Sequence, residues 1–494
     1  MPWPQEKPKQ TAPTPSRSHH SDQTVCKKTA YRGIRCTIVD REAGNSARVS
    51  PALRLYLSAG FLPYAQEATL PSRRFFTLLV PILAAVFQLL TTAAPIRAAS
   101  LERVLYDFKG GRDGLSPSAV IFDGAGNLYG TTYNGGDSEC NCGTVFKLEP
   151  AGQGKWRKAV LHTFVGQDGT FPTDLILDAS GSLYGTTVFG GGLNYGYGTV
   201  FKLAPGANGM WTHTILHIFT NLDGSQPSGS LTFDAAGNLY GTTQAGGEYG
   251  FGTVFKLTPG ADDNWTEGVL HSFNGNDGNT PTSAVIFDSF GDLYGTTASG
   301  GNLSSCHDVG CGTVFELVPG TDGKWIHKVL HSFDRKDGDQ PWSSLVFDAA
   351  GNLYGTTVLG GEIDSNPCLG YGCGVVFKVS PSANGKWAET VLHKFHGWTD
   401  GFYPYDGLIF DADGNLFGTT SYGGVVFKLT PGAEGKWTEI VLHTFIGNDG
   451  WFPYAGLIFD TSGNLYGTTL LGGESNNCQS EFGSGCGVVF EILQ

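Results

Sequence analysis

The pentapeptide LYGTT stands at residues 128–132 and occurs seven times in the chain. Its copies lie at residues 128–132, 183–187, 239–243, 293–297, 353–357, 416–420 (with Phe417 in place of Tyr) and 465–469. Neighbouring copies are 49 to 63 residues apart. A period of this length indicates a repeat architecture in which each unit is one supersecondary structure.

Each repeat contains four short segments that are rich in Val, Ile, Phe, Tyr and Thr. In the first unit they are VIFD (120–123), LYGTT (128–132), GTVFKL (143–148) and the segment 156–164, which begins with Trp and ends in VLHTF. Gly, Pro, Asn and Asp separate them, and none has the length or the 3.6-residue period of a helix. Four-stranded antiparallel units of this size are typical of propeller blades.

The two ends of the repeat region complete one blade. Residues 103–108 (RVLYDF) form a strand of the fourth type that has no partners before it, and residues 487–492 (GVVFEI) form a strand of the third type with none after it. Pairing these two strands closes the ring and removes exposed sheet edges. The sequence therefore predicts an all-β domain over 101–494, a seven-bladed β-propeller of four-stranded antiparallel blades.

The repeat resembles a known family. The string LYGTT…GG…GTVFKLxPG…GKW…VLHxF…DGxxP is similar to the GloVer tandem repeat of bacterial envelope proteins, which are called choice-of-anchor proteins because their membrane attachments differ. The resemblance covers residues 101–494. It implies a secreted or surface repeat protein of β-propeller type. The resemblance assigns no catalytic residues to this chain.

Composition and charge exclude several classes of function. The formal net charge is −14, and it divides into +8 for residues 1–100 (13 basic, 5 acidic) and −22 for the rest (18 basic, 40 acidic). A domain this acidic is a poor partner for nucleic acid, whose binding depends on neutralising phosphates. Charged residues make up only 15 %, which is too few for a coiled coil. We expect a monomer with no nucleic-acid partner.

The first hundred residues read as two segments. Residues 1–70 are basic and rich in Pro and Ser, and we interpret them as disordered or as a mis-called extension. Residues 71–100 have a basic start, an apolar run at 75–94 and small residues at 98–100, the pattern of a signal peptide. A signal anchor is the alternative, and 75–94 would then be the only membrane attachment. Both interpretations place the repeats in the periplasm, at the cell surface or outside the cell.

Eight of the ten cysteines lie in the repeats, in pairs within single loops between the second and third strands. The pairs are Cys140/Cys142, Cys306/Cys311, Cys368/Cys373 and Cys478/Cys486. In an exported chain an even number of paired cysteines indicates disulfides. A four-cysteine zinc site would need pairs from different blades to meet. We therefore predict four local disulfides, with the tightest loop at 140–142.

Histidines and aspartates also recur once per blade. The fourth strand carries His162, His217, His271, His331, His393 and His443, with Tyr106 at this position in the closing blade. The motif Asp-Gly-x-x-Pro follows, beginning at Asp113, Asp168, Asp223, Asp277, Asp337, Asp400 and Asp449. We interpret the histidines as packing residues and the Asp-Gly-x-x-Pro motif as a turn. A ring of cations on the aspartates is the alternative, and we assign no metal or cofactor.

Departures from the repeat locate a candidate site. The loops between the second and third strands are long in blades 4, 5 and 7 (298–311, 358–373 and 470–486), whereas blade 6 has only residues 421–423, which predicts a notch. Aromatic residues concentrate beside it, and such surfaces can cover the apolar faces of sugar rings. The candidate ligand-binding residues are Trp342, Trp398, Phe402, Tyr403, Tyr405, Tyr422, Trp451, Phe452 and Tyr454. The alternative is that these rings pack against one another.

Three functions follow from this pattern. The first is a non-catalytic envelope module that binds a glycan or an envelope protein at the loop face near blades 5–7. The second is a polysaccharide lyase or hydrolase that uses a carboxylate such as Asp174 or Asp406. The third is a purely structural or protein-docking propeller, because this fold by itself does not decide function.

Overall fold

The computed structural model describes residues 101–494 except 137–138, 193–195, 262–263, 307, 322, 363–367, 369, 383 and 481–482. The predicted extension 1–70 and signal peptide 71–100 lie outside the described residues. The described chain is all-β apart from short 3₁₀ turns, which include those at Gly111–Asp113, Ala207–Gly209 and Ala433–Gly435. No helix among these residues has the length and apolarity needed to span a bilayer.

Seven antiparallel sheets form the blades, as the repeat predicts. In blades 1 and 2 all four strands are continuous. Strand β1 (Leu101–Asp107) is the first strand of the described residues and belongs to the closing blade 7. Blade 1 consists of β2 (Leu115–Phe122), β3 (Leu128–Asn134), β4 (Thr144–Pro150) and β5 (Trp156–Thr163). Blade 2 consists of β6 (Thr170–Leu177), β7 (Leu183–Phe189), β8 (Thr199–Pro205) and β9 (Trp211–Ile218).

In blades 3 to 7 the innermost strand is shortened to two residues, and blade 3 keeps a separate second piece of it. Blade 3 contains β10 (Ser225–Pro227), β11 (Thr232–Phe233), β12 (Leu239–Ala245), β13 (Thr253–Pro259) and β14 (Trp265–Ser272). Blade 4 contains β15 (Ile286–Phe287), β16 (Leu293–Thr297), β17 (Thr313–Pro319) and β18 (Trp325–Ser332). Blade 5 contains β19 (Val346–Phe347), β20 (Leu353–Thr357), β21 (Val375–Pro381) and β22 (Trp387–Lys394). Blade 6 contains β23 (Ile409–Phe410), β24 (Leu416–Thr420), β25 (Val425–Pro431) and β26 (Trp437–Thr444).

Blade 7 closes the ring with strands from both ends of the propeller. It contains β27 (Ile458–Phe459), β28 (Leu465–Thr469) and β31 (Val488–Leu493), and β1 is its outer strand; β29 (Gln479–Ser480) and β30 (Gly483–Ser484) form a small ribbon in its long loop. Leu101 lies opposite Leu493, and Asp107 lies opposite Val488. This confirms the predicted closure, with strand ends shifted by one or two residues from 103–108 and 487–492.

The register explains why glycine stands in the middle of LYGTT. In blade 1, Gly130 lies opposite Phe146, and a Cβ atom on Gly130 would come within 2.7 Å of that ring. The same pairing of glycine with phenylalanine occurs in all seven blades. The phenylalanine ring therefore lies over the neighbouring strand, in space that only glycine leaves open.

The core lies between the blades. In one of its seven clusters, Tyr129 of blade 1 packs with Leu183 and Phe201 of blade 2, and Trp211 borders the cluster. The ring centres of Tyr129 and Trp211 are 6.0 Å apart. The recurring tryptophan therefore packs between blades, as interpreted from the sequence.

All four predicted disulfides are present. They join Cys140 to Cys142, Cys306 to Cys311, Cys368 to Cys373 and Cys478 to Cys486. Each lies within one loop between the second and third strands of its blade. Disulfides of this kind persist in oxidising surroundings, which is consistent with an extracytoplasmic location.

The surroundings of these cysteines differ from what their loop positions suggest. Cys142 is only 1 % exposed and belongs to the core cluster of Val145 and Phe164 between blades 1 and 2, so it is a core residue and not part of an exposed loop. The second cysteine of each other pair is likewise fully buried, at Cys311, Cys373 and Cys486. The reason is its place in the chain, because each stands directly before the glycine that leads into the buried third strand. The predicted loop pairs are therefore confirmed, and the structure adds that at least one cysteine of every pair is buried, with both Cys368 and Cys373 buried in blade 5.

The length of the innermost strand depends on a single residue. From the proline of Asp-Gly-x-x-Pro to the next buried Val or Leu there are three positions in blade 1 (Pro117 to Val120), as in blade 2. The same step takes four positions in blade 3 (Pro227 to Leu231) and in blades 4 to 7. The additional residue interrupts the pairing of the innermost strand with its neighbour. Blades 1 and 2 therefore line the centre of the ring with a continuous strand, whereas blades 3 to 7 line it with a shortened one.

Candidate functional site

A cavity of about 480 Å³ occupies the centre of the ring, and all seven blades contribute to its lining. Five aromatic residues border it, namely Tyr133, Phe189, Trp342, Tyr405 and Tyr454. The remaining lining consists mainly of Ser, Thr, Asn and Gln side chains together with two aspartates. None of the described lining residues is Lys, Arg or His. The cavity thus combines apolar faces with hydrogen-bonding groups and carries no positive charge.

Three of the nine candidate ligand-binding residues lie in this cavity. Trp342, Tyr405 and Tyr454 each follow the proline of Asp-Gly-x-x-Pro, in blades 5, 6 and 7. The rings of Tyr405 and Tyr454 are stacked at 4.6 Å, and Trp342 meets Tyr405 edge-on at 5.8 Å. The indole N–H of Trp342 is buried without a hydrogen-bond partner. Blades 1 to 4 have the small polar residues Ser118, Thr173, Ser228 and Thr282 at this position.

Two carboxyl groups face the same cavity. The Ser118 hydroxyl donates to Asp174 at 2.8 Å, and the backbone N–H groups of Gly407 and Gly456 donate to Asp406. Burial raises the pKa of both aspartates above their ordinary value, and the charge of Asp174 raises that of Asp406 further. These shifts favour the neutral carboxyl form, which can donate a hydrogen bond as well as accept one.

The other six candidate residues form a separate group, which we call the rim cluster: Trp398, Phe402, Tyr403, Tyr422, Trp451 and Phe452. Tyr422 from the short loop of blade 6 lies 5.4 Å from Phe402, 5.4 Å from Tyr403 and 4.8 Å from Phe452, measured between ring centres. Trp398 lies 5.1 Å from Phe402, and Trp451 lies 5.9 Å from Phe452. The rings therefore pack against one another beside the short loop.

Two tryptophans at the edges of the rim cluster remain open to solvent. Trp398 is 66 % exposed and Trp451 is 41 % exposed, whereas Phe402 is buried and supports the cluster from within. Behind them, the disulfide between Cys368 and Cys373 belongs to the same core cluster as Phe402. The rim cluster thus has a supported interior and an exposed aromatic edge.

Two cavity residues were missed by the sequence analysis, namely Tyr133 and Phe189. Phe171 links them, because Tyr133 stacks on Phe171 at 4.6 Å and Phe171 meets Phe189 edge-on at 6.2 Å. A signal for Tyr133 was present, since it follows LYGTT directly where blade 4 has Ala298 and blade 6 has Ser421. The predicted site covered blades 5–7 only and therefore did not include Tyr133.

The recurring histidines and aspartates bond to each other. In blades 1, 2, 3, 4 and 6 the histidine Nε2 lies 2.9–3.1 Å from the aspartate Oδ2, as between His217 and Asp223. The same aspartate accepts a hydrogen bond from a backbone N–H of its own turn, as Asp223 does from Thr220. These contacts agree with structural roles for both residues.

A third ionisable residue, from the next blade, lies beside each of the seven repeated aspartates, including Asp113 after Tyr106 and Asp400 after His393. We call the set the inter-blade belt, and its third members are Glu102, Lys158, His213, Glu267, His327, Glu389 and Glu439. Burial raises the pKa of Glu267 to about 7, and the charge of Asp223 adds to this effect. One carboxylate oxygen of Glu267 is buried without a hydrogen-bond partner.

The sequence matches one family along the whole propeller. The model of the Gloeobacter/Verrucomicrobia repeat matches residues 95–210, 172–424 and 365–493. No relative was found among curated proteins.

Several solved structures are similar to this chain at low identity. The extracellular domain of a protein assigned as a hybrid two component system of B. thetaiotaomicron is 14 % identical, with a TM-score of 0.45 over 77 % of this chain and 39 % of that chain. A protein from Lactobacillus plantarum is 17 % identical, with a TM-score of 0.44 over 66 % of this chain and 85 % of its own. A protein assigned as a gluconolactonase is 13 % identical, with a TM-score of 0.37 over 81 % and 96 %. Likenesses at these TM-scores carry no information on function.

Proposed function

The chain belongs to the Gloeobacter/Verrucomicrobia repeat family, and within that framework we propose that it is an extracytoplasmic carbohydrate-binding module. One observation carries the proposal, namely a central cavity in which Trp342, Tyr405 and Tyr454 share the lining with hydroxyl and amide side chains. Aromatic rings cover the apolar faces of sugars, while hydroxyl and amide groups exchange hydrogen bonds with their edges.

The ionisable groups that line the cavity indicate which ligand charges it can accept. The described lining has two carboxyl groups, Asp174 and Asp406, and no basic side chain. Burying a sulfate, phosphate or uronate there would place like charges together without compensation, which is costly. The ligand we propose is therefore an uncharged oligosaccharide, or one that carries amino groups.

The rim cluster extends this surface outward. Phe402 and Phe452 belong to the same Asp-Gly-x-x-Pro loops that lead into Tyr405 and Tyr454, so the rim cluster and the cavity share the entries to blades 6 and 7. A chain whose end occupies the cavity would reach the exposed rings at the rim along these loops. The proposal therefore retains all nine candidate residues, with the cavity residues as the primary contacts and Phe402 as internal support.

The test is a glycan array followed by titration of any hit. Tyr405→Ala and Trp342→Ala should weaken binding about two- to twelvefold, because each removes an aromatic contact of about 0.5–1.5 kcal/mol. Tyr405→Phe retains the ring and should bind nearly as the wild type does. Trp398→Ala and Trp451→Ala should weaken longer ligands more than short ones.

The matched control is Leu222→Ala, which removes an 82 % exposed side chain from the equivalent loop after blade 2. It should change neither binding nor melting temperature. Binding that survives Tyr405→Ala, Trp398→Ala and Trp451→Ala would contradict the proposal, as would an array without hits.

A hydrolase or lyase is a second candidate, favoured by the pair Asp174 and Asp406. Their raised pKa values suit an acid and a base that act on one glycosidic bond. A reducing-end assay on each bound glycan decides between the two functions. Turnover that is lost in both Asp174→Asn and Asp406→Asn would establish the enzyme, whereas binding without turnover supports the module.

A further inference from the structure

Among the six histidine-containing members of the inter-blade belt, one differs in geometry from the other five. In blades 1, 2, 3, 4 and 6 the aspartate follows the histidine by six residues, as Asp449 follows His443, and the two side chains are hydrogen-bonded. In blade 5 the spacing from His393 to Asp400 is seven residues, because the loop between them is one residue longer.

The longer loop separates the two side chains. His393 Nε2 lies 3.7 Å from Asp400 Oδ2 and 3.8 Å from Glu439 Oε2, which is the third member contributed by blade 6. His393 Nε2 and Glu439 Oε1 are both buried without a hydrogen-bond partner. The three side chains are only 11–14 % exposed. His393 Nε2 thus faces two carboxylate oxygens at distances too long for direct hydrogen bonds, while Asp400 Oδ2 accepts hydrogen bonds from the backbone N–H and the Nδ1 of His396.

These separations fit a shared cation. Zinc holds nitrogen and oxygen ligands at about 2.0–2.2 Å, which places neighbouring ligand atoms roughly 3.3–3.6 Å apart in a tetrahedral site. Contacts of 3.7 and 3.8 Å need only a small contraction to reach that geometry. Within the described residues, neither Asp400 nor Glu439 forms an ion pair with lysine or arginine.

Histidine clusters elsewhere in the belt lack this geometry. His162 and His213 approach each other with parallel rings, 4° apart in orientation and 4.3 Å between centres. A metal binds imidazole in the plane of the ring, and two parallel stacked rings have no such point in common. Their neighbour Asp168 is already bonded to His162 at 2.9 Å. In the other five histidine-containing groups, including those completed by Glu102 and Glu267, the histidine and aspartate are already hydrogen-bonded to each other at 2.9–3.1 Å, so blade 5 is the group in which the histidine Nε2 is free to bind a cation.

We propose that His393, Asp400 and Glu439 form a binding site for a divalent first-row transition-metal ion of the Zn²⁺ class, at the junction of blades 5 and 6. An imidazole with two carboxylates is a ligand set that such ions accept. His396 stands next to the site, with Nδ1 3.1 Å from Asp400 Oδ2, and is the candidate fourth ligand.

The site has a direct structural consequence for the rim cluster. Asp400 is in the same loop as Trp398 and Phe402, so a cation that holds Asp400 also fixes the base of that loop. The proposed metal would stabilise the exposed edge of the aromatic surface without contacting a ligand on it. The metal proposal does not depend on what the rim binds.

The test measures binding of Zn²⁺ to full-length protein that has been stripped with a chelator, by isothermal titration calorimetry. The wild type should bind one more equivalent of Zn²⁺ than Glu439→Gln or His393→Gln, since each substitution removes one ligand. The affinity of this equivalent should fall at least about tenfold in both variants. Any Zn²⁺ bound by Cys26, Cys36 or the histidines at 19–20 is the same in the wild type and in the variants. The difference in stoichiometry between them therefore reports on the proposed site alone.

The matched controls are Glu267→Gln and His217→Gln, which change the same two positions in the hydrogen-bonded cluster between blades 2 and 3. They should keep the full stoichiometry. Deletion of Thr399 restores the six-residue spacing and should abolish the site while the melting temperature of the metal-free protein stays within about 2 °C. Equal stoichiometry in wild type and Glu439→Gln, or no Zn²⁺ binding at about 100 µM metal, would overturn the proposal.

Discussion

Replacing Glu267 with glutamine should stabilise the propeller at alkaline pH and leave it unchanged at acid pH. Burial and the nearby charge of Asp223 raise the pKa of Glu267 from 4.5 to about 7. Because the folded-state pKa is the higher one, the protonated form favours folding. This contribution is complete below about pH 4.5 and is lost as the pH rises through 7.

The magnitude follows from the size of this change. A rise from 4.5 to about 7 corresponds to roughly 3 kcal/mol, at about 1.4 kcal/mol for each pKa unit. Glu267 is only partly buried, so solvent screens the charge and we expect about 1–2 kcal/mol. Glutamine has the same shape and no charge to bury. At pH 8, Glu267→Gln should therefore melt about 2 °C above the wild type, for a domain of this size.

The assay compares melting temperatures at pH 5 and pH 8 by circular dichroism. The control is Glu434→Gln, an exposed glutamate in the 3₁₀ turn Ala433–Gly435, which should show no difference at either pH. The reasoning is refuted if Glu267→Gln melts below the wild type at pH 8, or if its offset is the same at both values.

Two further substitutions test the packing and the loops. Gly295→Ala would place a Cβ atom 2.6 Å from the ring of Phe315, which is fully buried, and should cost about 1–3 kcal/mol; Gly268→Ala, where a Cβ meets nothing within 4 Å, is its control in a thermal melt. Replacing Cys478 and Cys486 together with serine opens a short loop and should lower the free energy of unfolding by about 2 kcal/mol, and a reducing agent should then have a smaller effect on the variant's melting temperature than on that of the wild type.

The fold was predictable because its determinants are local and repeated seven times. Each blade carries its own strand segments, turn residues and glycine position, as at Gly130, and the ring closure follows from unmatched strands at 101–107 and 488–493. The four disulfides were predictable for the same reason, since each pair lies within one loop. The burial of Cys142 was not, because the residues that cover it include Leu183 and Phe201 of the next blade.

The site was predictable only in part, because it depends on contacts between blades. The aromatic residues of blades 5–7 were predicted as one surface, although the position after proline separates Tyr405 in the cavity from Tyr403 in the rim cluster. The contact of Glu267 with the His217–Asp223 pair joins different blades, and the distance between equivalent positions is set by the ring itself. The spacing of residues within one repeat therefore does not predict this contact between blades.

The closing blade also determines how the ring responds to force. Strand β1 runs antiparallel to β31, so that Leu101 and Leu493 lie side by side. A pull that draws these two ends apart loads the hydrogen bonds between the strands one after another, as in opening a zipper, and never all at once. Mechanical rupture should therefore begin at blade 7 at low force, and the other six blades would then lose their closure in sequence around the ring.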